Sequence, residues 1–478
     1  MGAAIASVER SDWDFSLRTL PLPELAPELA ARRRAEAVGK LRAKAAREEK
    51  PEPPPVTVSP AAPADPAAAF ADFLDRHLPY RIRSRHLYIA GKSQYGKSSL
   101  LHALAVRDME RGEGLAVIDP HGDLAERLLA SVPESRVDDA IYLDATAPIP
   151  LDFMGWADER ERDTLADDLL VTFKRFSNTW GERMESIVRY TIYTLLAARG
   201  TTFLDLYGFL AREERRREIL REVHDPVLRD FWRDQYPHLP RDAAAPITSR
   251  MSKFLLTPSL RAILGDPRPK LSLGDVMEQR KILIVNLAKI GEESGHLLGT
   301  LLVSKIQQAA MRRQAQPPER RIPFHLYVDE FQHFQTSAFD AILSEAGKYR
   351  LCLTMANQYI DQLEPQIRNS ILGNVSTFFL FRLNERDAGY FAGEIKPRKP
   401  DELTTLPPGA ALCRTAAGEA LMVTCPPPSA PAHAGFAETI RNRTILNYAS
   451  PPESEPIESE QDAARTSGRP KHIPPHAG

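Results

Sequence analysis

Cysteine is scarce in this chain of 478 residues, which carries three thiols, Cys352, Cys413 and Cys425. So few, and so scattered, they exclude a disulfide framework or a thiolate metal site and suit a reducing compartment. Long apolar runs are missing as well. The strongest stretches, LLGTLLVSKI and YTIYTLLAA, reach about half of the ~18 residues that mark a membrane-crossing helix and are bounded by polar groups. The chain is therefore not expected to cross a bilayer by itself. Its start, MGAAIASVERSDWDF, has neither a basic opening nor a continuous apolar core, so no secretory signal is read there. A charge excess of one sign is also absent, with 62 Lys+Arg against 64 Asp+Glu and a formal net charge of -2. Any nucleic-acid surface must be local or be created by assembly.

What is present divides unevenly along the chain. Residues 26–50, APELAARRRAEAVGKLRAKAAREEK, read as a charged, solvated helix, and residues 51–68, PEPPPVTVSPAAPADPAA, as an extended Pro/Ala linker. The tail 451–478 is polar and Pro-rich and reads as disordered. Between them, short apolar runs recur at 86–90, 115–118, 140–143, 281–286, 324–328, 351–356 and 376–381. Most lack strict alternation, which marks strands covered on both faces, and helical stretches separate several of them. That pattern predicts an α/β domain with a mostly parallel sheet. From about 155 to 270 the strand signals vanish and amphipathic runs such as DTLADDLLVTFKRF take over, so an all-helical domain is expected as an insertion.

The first strand runs into LYIAGKSQYGKSSLLHAL, with the spacing G-x-x-x-x-G-K-[ST]. Gly91 and Gly96 let the backbone turn so that successive N–H groups face phosphate oxygens, and the next helix offers its positive end. Lys97 is expected to reach the β and γ phosphates, and Ser98, followed by Ser99, to place a hydroxyl on Mg2+. ATP with Mg2+ is thus the expected cofactor pair. The expected organisation follows: 1–69 charged helix and linker, 70–154 first part of a P-loop ATPase domain, 155–270 the helical insertion, 271–450 its second part, and 451–478 the tail.

A P-loop requires a strand-end carboxylate for the metal shell, and hydrolysis requires a group that activates water. FHLYVDEF supplies Asp329 and Glu330 in succession, assigned to the metal and the water respectively. Asp119, in LAVIDPHGD, and Asp144, in AIYLDAT, compete, but no second carboxylate follows either. The DPHGD turn has too few ligands for a structural metal site. The strand LCLTMANQ ends in Asn357 and Gln358, carboxamides able to donate to a γ-phosphate.

In order, GKSQYGKSS, IDPHGDL, ILIVNLAKIGEESGHLLGTLL, YVDEFQHF, EAGKYRLCLTMANQYIDQL and RNSILGNVSTFFLFRLNERDA resemble the TraG/TraD-type coupling ATPases of conjugation and type IV secretion, within the HerA/FtsK class of DNA-pumping motors. The resemblance spans roughly residues 80–425. It implies a RecA-like motor domain with an inserted all-α domain, a homo-hexamer around a channel, and ATP-driven movement of DNA. Lys97, Ser98, Asp329, Glu330 and Gln358 take the roles given above, and because the DPHGD turn lies near the nucleotide in the family, the resemblance implies Asp119 as a secondary site residue. Two departures stand out. Coupling proteins usually carry N-terminal membrane helices, absent here, so the expected location is the cytoplasm, or the inner-membrane periphery through membrane-bound secretion or relaxosome partners. Many relatives also show an Arg-Lys pair before the sensor strand, where this chain reads AGKYRL. Lys348 and Arg350 are then the candidates for a cation acting across a subunit boundary. Read as an extended lead-in to the strand, the segment lets one of them reach, and Arg350 is favoured for its planar fork.

The leading expectation is an ATP-hydrolysing ring motor that translocates or couples DNA. The alternatives are a motor of the same class that moves or assembles protein, and a nucleotide-dependent scaffold without turnover, against which Glu330 argues. REERRREILREV interleaves Arg with Glu and reads as a solvated helix face, and Trp180 in WGERMES as packing and capping.

Overall fold

The computed structural model describes residues 65–449 apart from 147, 178–179, 268, 394–399, 416–417, 419 and 428–433. The charged helix expected at 26–50 and the tail at 451–478 lie outside the described residues, as does the linker up to residue 64. The linker reading fails at its end. Helix α1 (Pro66–His77) already begins at Pro66, because Asp65 caps it by accepting from the amides of Ala67 and Ala68. Proline suits that first position, where its missing N–H would have no partner.

Among the described residues nine strands form one sheet: β1 (Leu87–Ala90), β2 (Gly114–Asp119), β3 (Ala140–Leu143), β4 (Ile282–Asn286), β5 (Phe324–Val328), β6 (Leu351–Asn357), β7 (Thr377–Leu380), β8 (Ala410–Arg414) and β9 (Ala420–Thr424). Their spatial order is β3-β4-β2-β5-β6-β1-β7-β8-β9. The first seven in that order run parallel, with Ile89 opposite both Ala356 and Phe379 and Ile118 opposite both Val285 and Val328. β8 and β9 close the sheet antiparallel and were not anticipated. Gly- and Pro-bearing segments flank both; β8 is buried over Ala410–Cys413, whereas β9 is mostly half-buried or exposed.

Alternate strand residues feed opposite layers, as pleating requires: Leu87 and Ile89 join one apolar cluster, Tyr88 and Ala90 the other. The first layer takes in α1 together with α3 (Lys97–Glu110), α4 (Asp123–Ala130) and Ile440 of the C-terminal helix Ala437–Tyr448. The short helix α2 (Tyr80–Arg83) enters on this side.

Between β3 and β4 the chain is helical: α5 (Glu159–Arg175), α6 (Glu182–Ala197), α7 (Asp205–Ala211), α8 (Glu213–Glu222), α9 (Pro226–Asp230), α10 (Ala245–Leu255) and α11 (Pro258–Leu264). Aromatic contacts tie them together: Tyr190 stacks on Phe231 at 3.7 Å, and the Trp232 indole donates to Thr194 Oγ1 at 2.7 Å. Their apolar residues are continuous with the second layer of the sheet, through α13 (Glu292–Arg312), which follows α12 (Leu273–Glu278) and β4. On α8 the arginines pair locally, Arg217 with Glu213 and Arg215 with Asp205 and Glu218. Trp180 Nε1 donates to Glu185 Oε2 at 2.9 Å, at the start of α6. Among the described residues no helix is long and apolar enough to cross a membrane.

Candidate nucleotide site

Parallel strands direct their C-terminal ends to one edge, where ligands of open α/β sheets bind. Four neighbouring strands deliver the predicted residues there. β1 leads into Gly91 to Ser99, β6 ends beside Gln358, β5 is followed by Asp329 and Glu330, and β2 ends in Asp119.

The loop after β1 is shaped by a contact the sequence did not reveal. Gly96 has φ +118, a conformation side chains rarely adopt, and a Cβ there would lie 2.8 Å from the Phe381 ring. A Cβ on Gly91 would come within 2.5 Å of the Phe381 Cβ. Phe381, just past β7, therefore packs beneath the turn and leaves no room for larger residues. Lys92 N donates to Arg382 O at 2.8 Å, and the Arg382 guanidinium sits over the Tyr95 ring and donates to its hydroxyl at 3.0 Å.

Lys97 is 5% exposed, and its ammonium donates to Gly91 O at 2.8 Å. Burial lowers its pKa, while Glu330 and Asp329 oppose that shift. Ser98 Oγ donates to Asp329 Oδ2 at 3.2 Å. Asp329 Oδ1 accepts from the Glu330 amide at 3.0 Å, an interaction that helps turn the chain at Glu330, where φ is +45. Burial, with Asp119 and Glu330 nearby, pushes Asp329 up to about 6. Two carboxylates, Asp329 and Glu330, act on one lysine beside a serine hydroxyl, a set whose negative charge a divalent cation would offset, so these residues fit a magnesium nucleotide.

Glu330 is held at both oxygens. Gln358 Nε2 donates to Oε1 at 3.3 Å and Gln332 Nε2 to Oε2 at 2.7 Å. Gln332 lies inside DEFQHF, two residues past the acid, and sequence reasoning gave it no role. Asn357 turns away: its carboxamide accepts from the Tyr88 hydroxyl at 2.6 Å and donates to Tyr359 O at 2.9 Å. Asp119 is at the edge, but its two oxygens accept from the His121 and Ala125 amides, each at 2.9 Å, capping α4. Asp144 sits at the far edge strand β3, where it accepts from Thr146 N and Thr146 Oγ1 and pairs with Arg441. Among the described residues no cluster of His, Cys, Asp or Glu suits a metal by itself.

Lys348 and Arg350 are not brought to this edge. They precede β6, and the length of that strand separates them from Gln358 by about 20 Å. Their segment is not extended either. Ala346–Tyr349 forms a 3-10 turn, and Arg350 follows with φ +64. Lys348 is exposed and Arg350 half-buried.

Residues 77–395 match the family of the type IV secretion-system coupling protein DNA-binding domain. Solved structures agree in fold. The bacterial conjugative coupling protein TrwBdeltaN70, unbound, superposes with a TM-score of 0.58 at 16% identity, over 75% of this chain and 88% of that one. The plasmid coupling protein TrwB with ADP and Mg2+ gives 0.55 at 16% identity over 75% and 89%. With the non-hydrolysable analogue ADPNP it gives 0.55 at 17% identity over 74% and 88%. No curated protein matches the chain.

Proposed function

This chain belongs to the type IV secretion-system coupling protein family, and we propose that it is an ATP-hydrolysing ring motor that translocates or couples DNA in conjugation or type IV secretion. One observation carries the reading. Lys97, Ser98, Asp329, Glu330 and Gln358, drawn from segments far apart in sequence, converge on one sheet edge. The neighbours solved with ADP and Mg2+ and with an ATP analogue support the same ligand class here.

When bound, ATP and Mg2+ supply the transferable phosphoryl group and the charge that offsets the carboxylates. The remaining roles belong to side chains of this chain. Lys97 leaves Gly91 O to bind phosphate oxygens, and the amides of the Gly91–Ser98 turn orient them. Ser98 and Asp329 hold the metal shell. Glu330 orients the attacking water and takes its proton at a carboxylate oxygen, and Gln358 fixes that carboxylate from the neighbouring strand. Lys348 or Arg350 acts on the nucleotide of a neighbouring subunit in a homo-hexamer, since each lies too far from its own P-loop.

The test is the ATPase rate with and without DNA, read beside native mass, for the parent and for Glu330→Gln. DNA-stimulated turnover in an oligomer, with a Glu330→Gln variant that binds ATP but does not hydrolyse it, supports the motor. Turnover in rings that neither bind nor respond to DNA would favour protein as the cargo.

A further inference from the structure

Glu330 has a second connection, and it runs out of the sheet into the helical insertion. Arg175 closes the last turn of α5, and its guanidinium spans two main-chain carbonyls of the turn that follows Glu330. Nη2 donates to Gln332 O and Nη1 to Gln335 O, each at 2.7 Å. Gln332 is the residue whose side chain donates to Glu330 Oε2. Gln335, buried, ties this turn to the segment after β6: its Nε2 donates to Gln332 O and Gln362 O at 3.1 Å, and its Oε1 accepts from the Glu364 amide at 2.8 Å. That second segment follows Gln358, which donates to Glu330 Oε1. Both carboxamides that aim Glu330 thus stand on backbone joined through Gln335, and Arg175 clamps it from the insertion.

The end of α5 is itself fastened to the rest of the insertion. Arg250, on α10, donates to Phe176 O, and Phe176 meets Phe254 edge-on at 5.9 Å. A shift of these helices therefore moves Arg175. The turn under it is poised to respond, because Glu330 at φ +45 occupies a backbone region costly for a residue with a side chain and held only by its surroundings.

We propose that Arg175 is a positioning residue through which the helical insertion sets the aim of the Glu330 carboxylate, so that a cargo or partner bound to the insertion gates hydrolysis. This rests on Glu330 being the water-activating group. The inference predicts a defect in rate without one in nucleotide binding, since the two hydrogen bonds of the Arg175 guanidinium go to main-chain carbonyls beyond Glu330.

The experiment compares steady-state ATPase, binding of a fluorescent ATP analogue and thermal melting for Arg175→Ala, Arg175→Lys, Gln332→Ala, the Arg175→Ala/Gln332→Ala double variant and Glu330→Gln. Misplacing a reacting group by about 1 Å can cost on the order of a hundredfold. Arg175→Ala should lose at least about tenfold in kcat, with analogue affinity within about twofold and an unchanged melt. Lys, or millimolar guanidinium added to Arg175→Ala, should restore part of the rate. The double variant should lose no more than its worse parent, because both act through one carboxylate. A parental rate in Arg175→Ala, additive losses in the double variant, or a rate loss matched by loss of affinity and melting temperature would each overturn the inference. The Glu330→Gln control separates the failures: its parental turnover would sink the site reading, whereas an inactive Glu330→Gln beside a normal Arg175→Ala would sink this proposal alone.

Discussion

The hydroxyl of Ser98 donates to Asp329 Oδ2 at 3.2 Å, joining the first turn of α3 to the end of β5. That contact places the hydroxyl proposed for the metal against a carboxylate that burial and neighbouring acids push up to about 6, from an ordinary 3.8.

A pH dependence follows. The folded state holds the Asp329 proton more tightly than the unfolded chain, so this group lowers stability as pH rises from about 4 through about 6. In nucleotide-free protein, Asp329→Asn should melt higher than the parent at pH 7.5 and lose that advantage near pH 4. Mg2+-dependent nucleotide affinity should fall below about pH 6 in the parent, because the ligand must be ionised. Calorimetric titrations across this range check it, and a flat affinity would contradict the assignment of Asp329 to the metal.

Lys97→Ala should weaken nucleotide binding and abolish turnover while sparing the fold. A charge-assisted hydrogen bond worth about 2 kcal/mol corresponds to roughly thirtyfold in Kd. Lys97 is buried but donates to loop carbonyls rather than to the core, so its melting temperature should stay near that of the parent. Analogue binding and thermal melting measure the two effects separately.

Stability has a separate centre on the first layer. Arg83 Nη2 donates to Asp108 Oδ2 at 2.8 Å and to the Tyr327 hydroxyl at 2.6 Å, and all three residues are buried. Burial alone would raise the Asp108 pKa, yet Arg83 and the His325 side chain beside it hold it below its usual value. Asp108→Ala strands a buried guanidinium and should cost about 3–5 kcal/mol in urea denaturation. The double variant Arg83→Met/Asp108→Leu should recover most of it.

Mixing inactive subunits tests the cation across the boundary. Rings combining Lys97→Ala subunits with Lys348→Ala subunits contain interfaces where both the P-loop and the neighbour's cation are intact, so activity should partly return. The same mixture with Arg350→Ala competes with it. Exposure favours Lys348, while Arg350 sits half-buried in a left-handed turn whose carbonyl accepts from Phe324 N at 2.9 Å. No recovery in rings shown to be mixed would remove the residue tested from the mechanism.

Local pattern alone made much of this protein legible. Seven strands announce themselves as apolar runs because a strand covered on both faces carries no polar alternation, and the glycine loop and the Asp329–Glu330 pair follow from contiguous residues. The family resemblance followed from the same motifs in order. What the sequence concealed depends on chain segments that meet only after folding. β9 reads weakly because it closes the sheet's antiparallel end, where continuous burial is not imposed, and β8, though buried over Ala410–Cys413, is a short, mostly small-residue run that gains its pairing only beside β7. Phe381, which explains Gly91 and Gly96, arrives from a strand that pairs with β1 across nearly the whole domain. Lys348 and Arg350 are near Gln358 in sequence yet at the opposite edge, since a parallel strand carries its two ends to different faces of the molecule. Arg175 meets the turn after Glu330 across 157 residues, by hydrogen bonds to backbone carbonyls that every residue type presents alike, and such partners leave no mark in a sequence until the chain is packed.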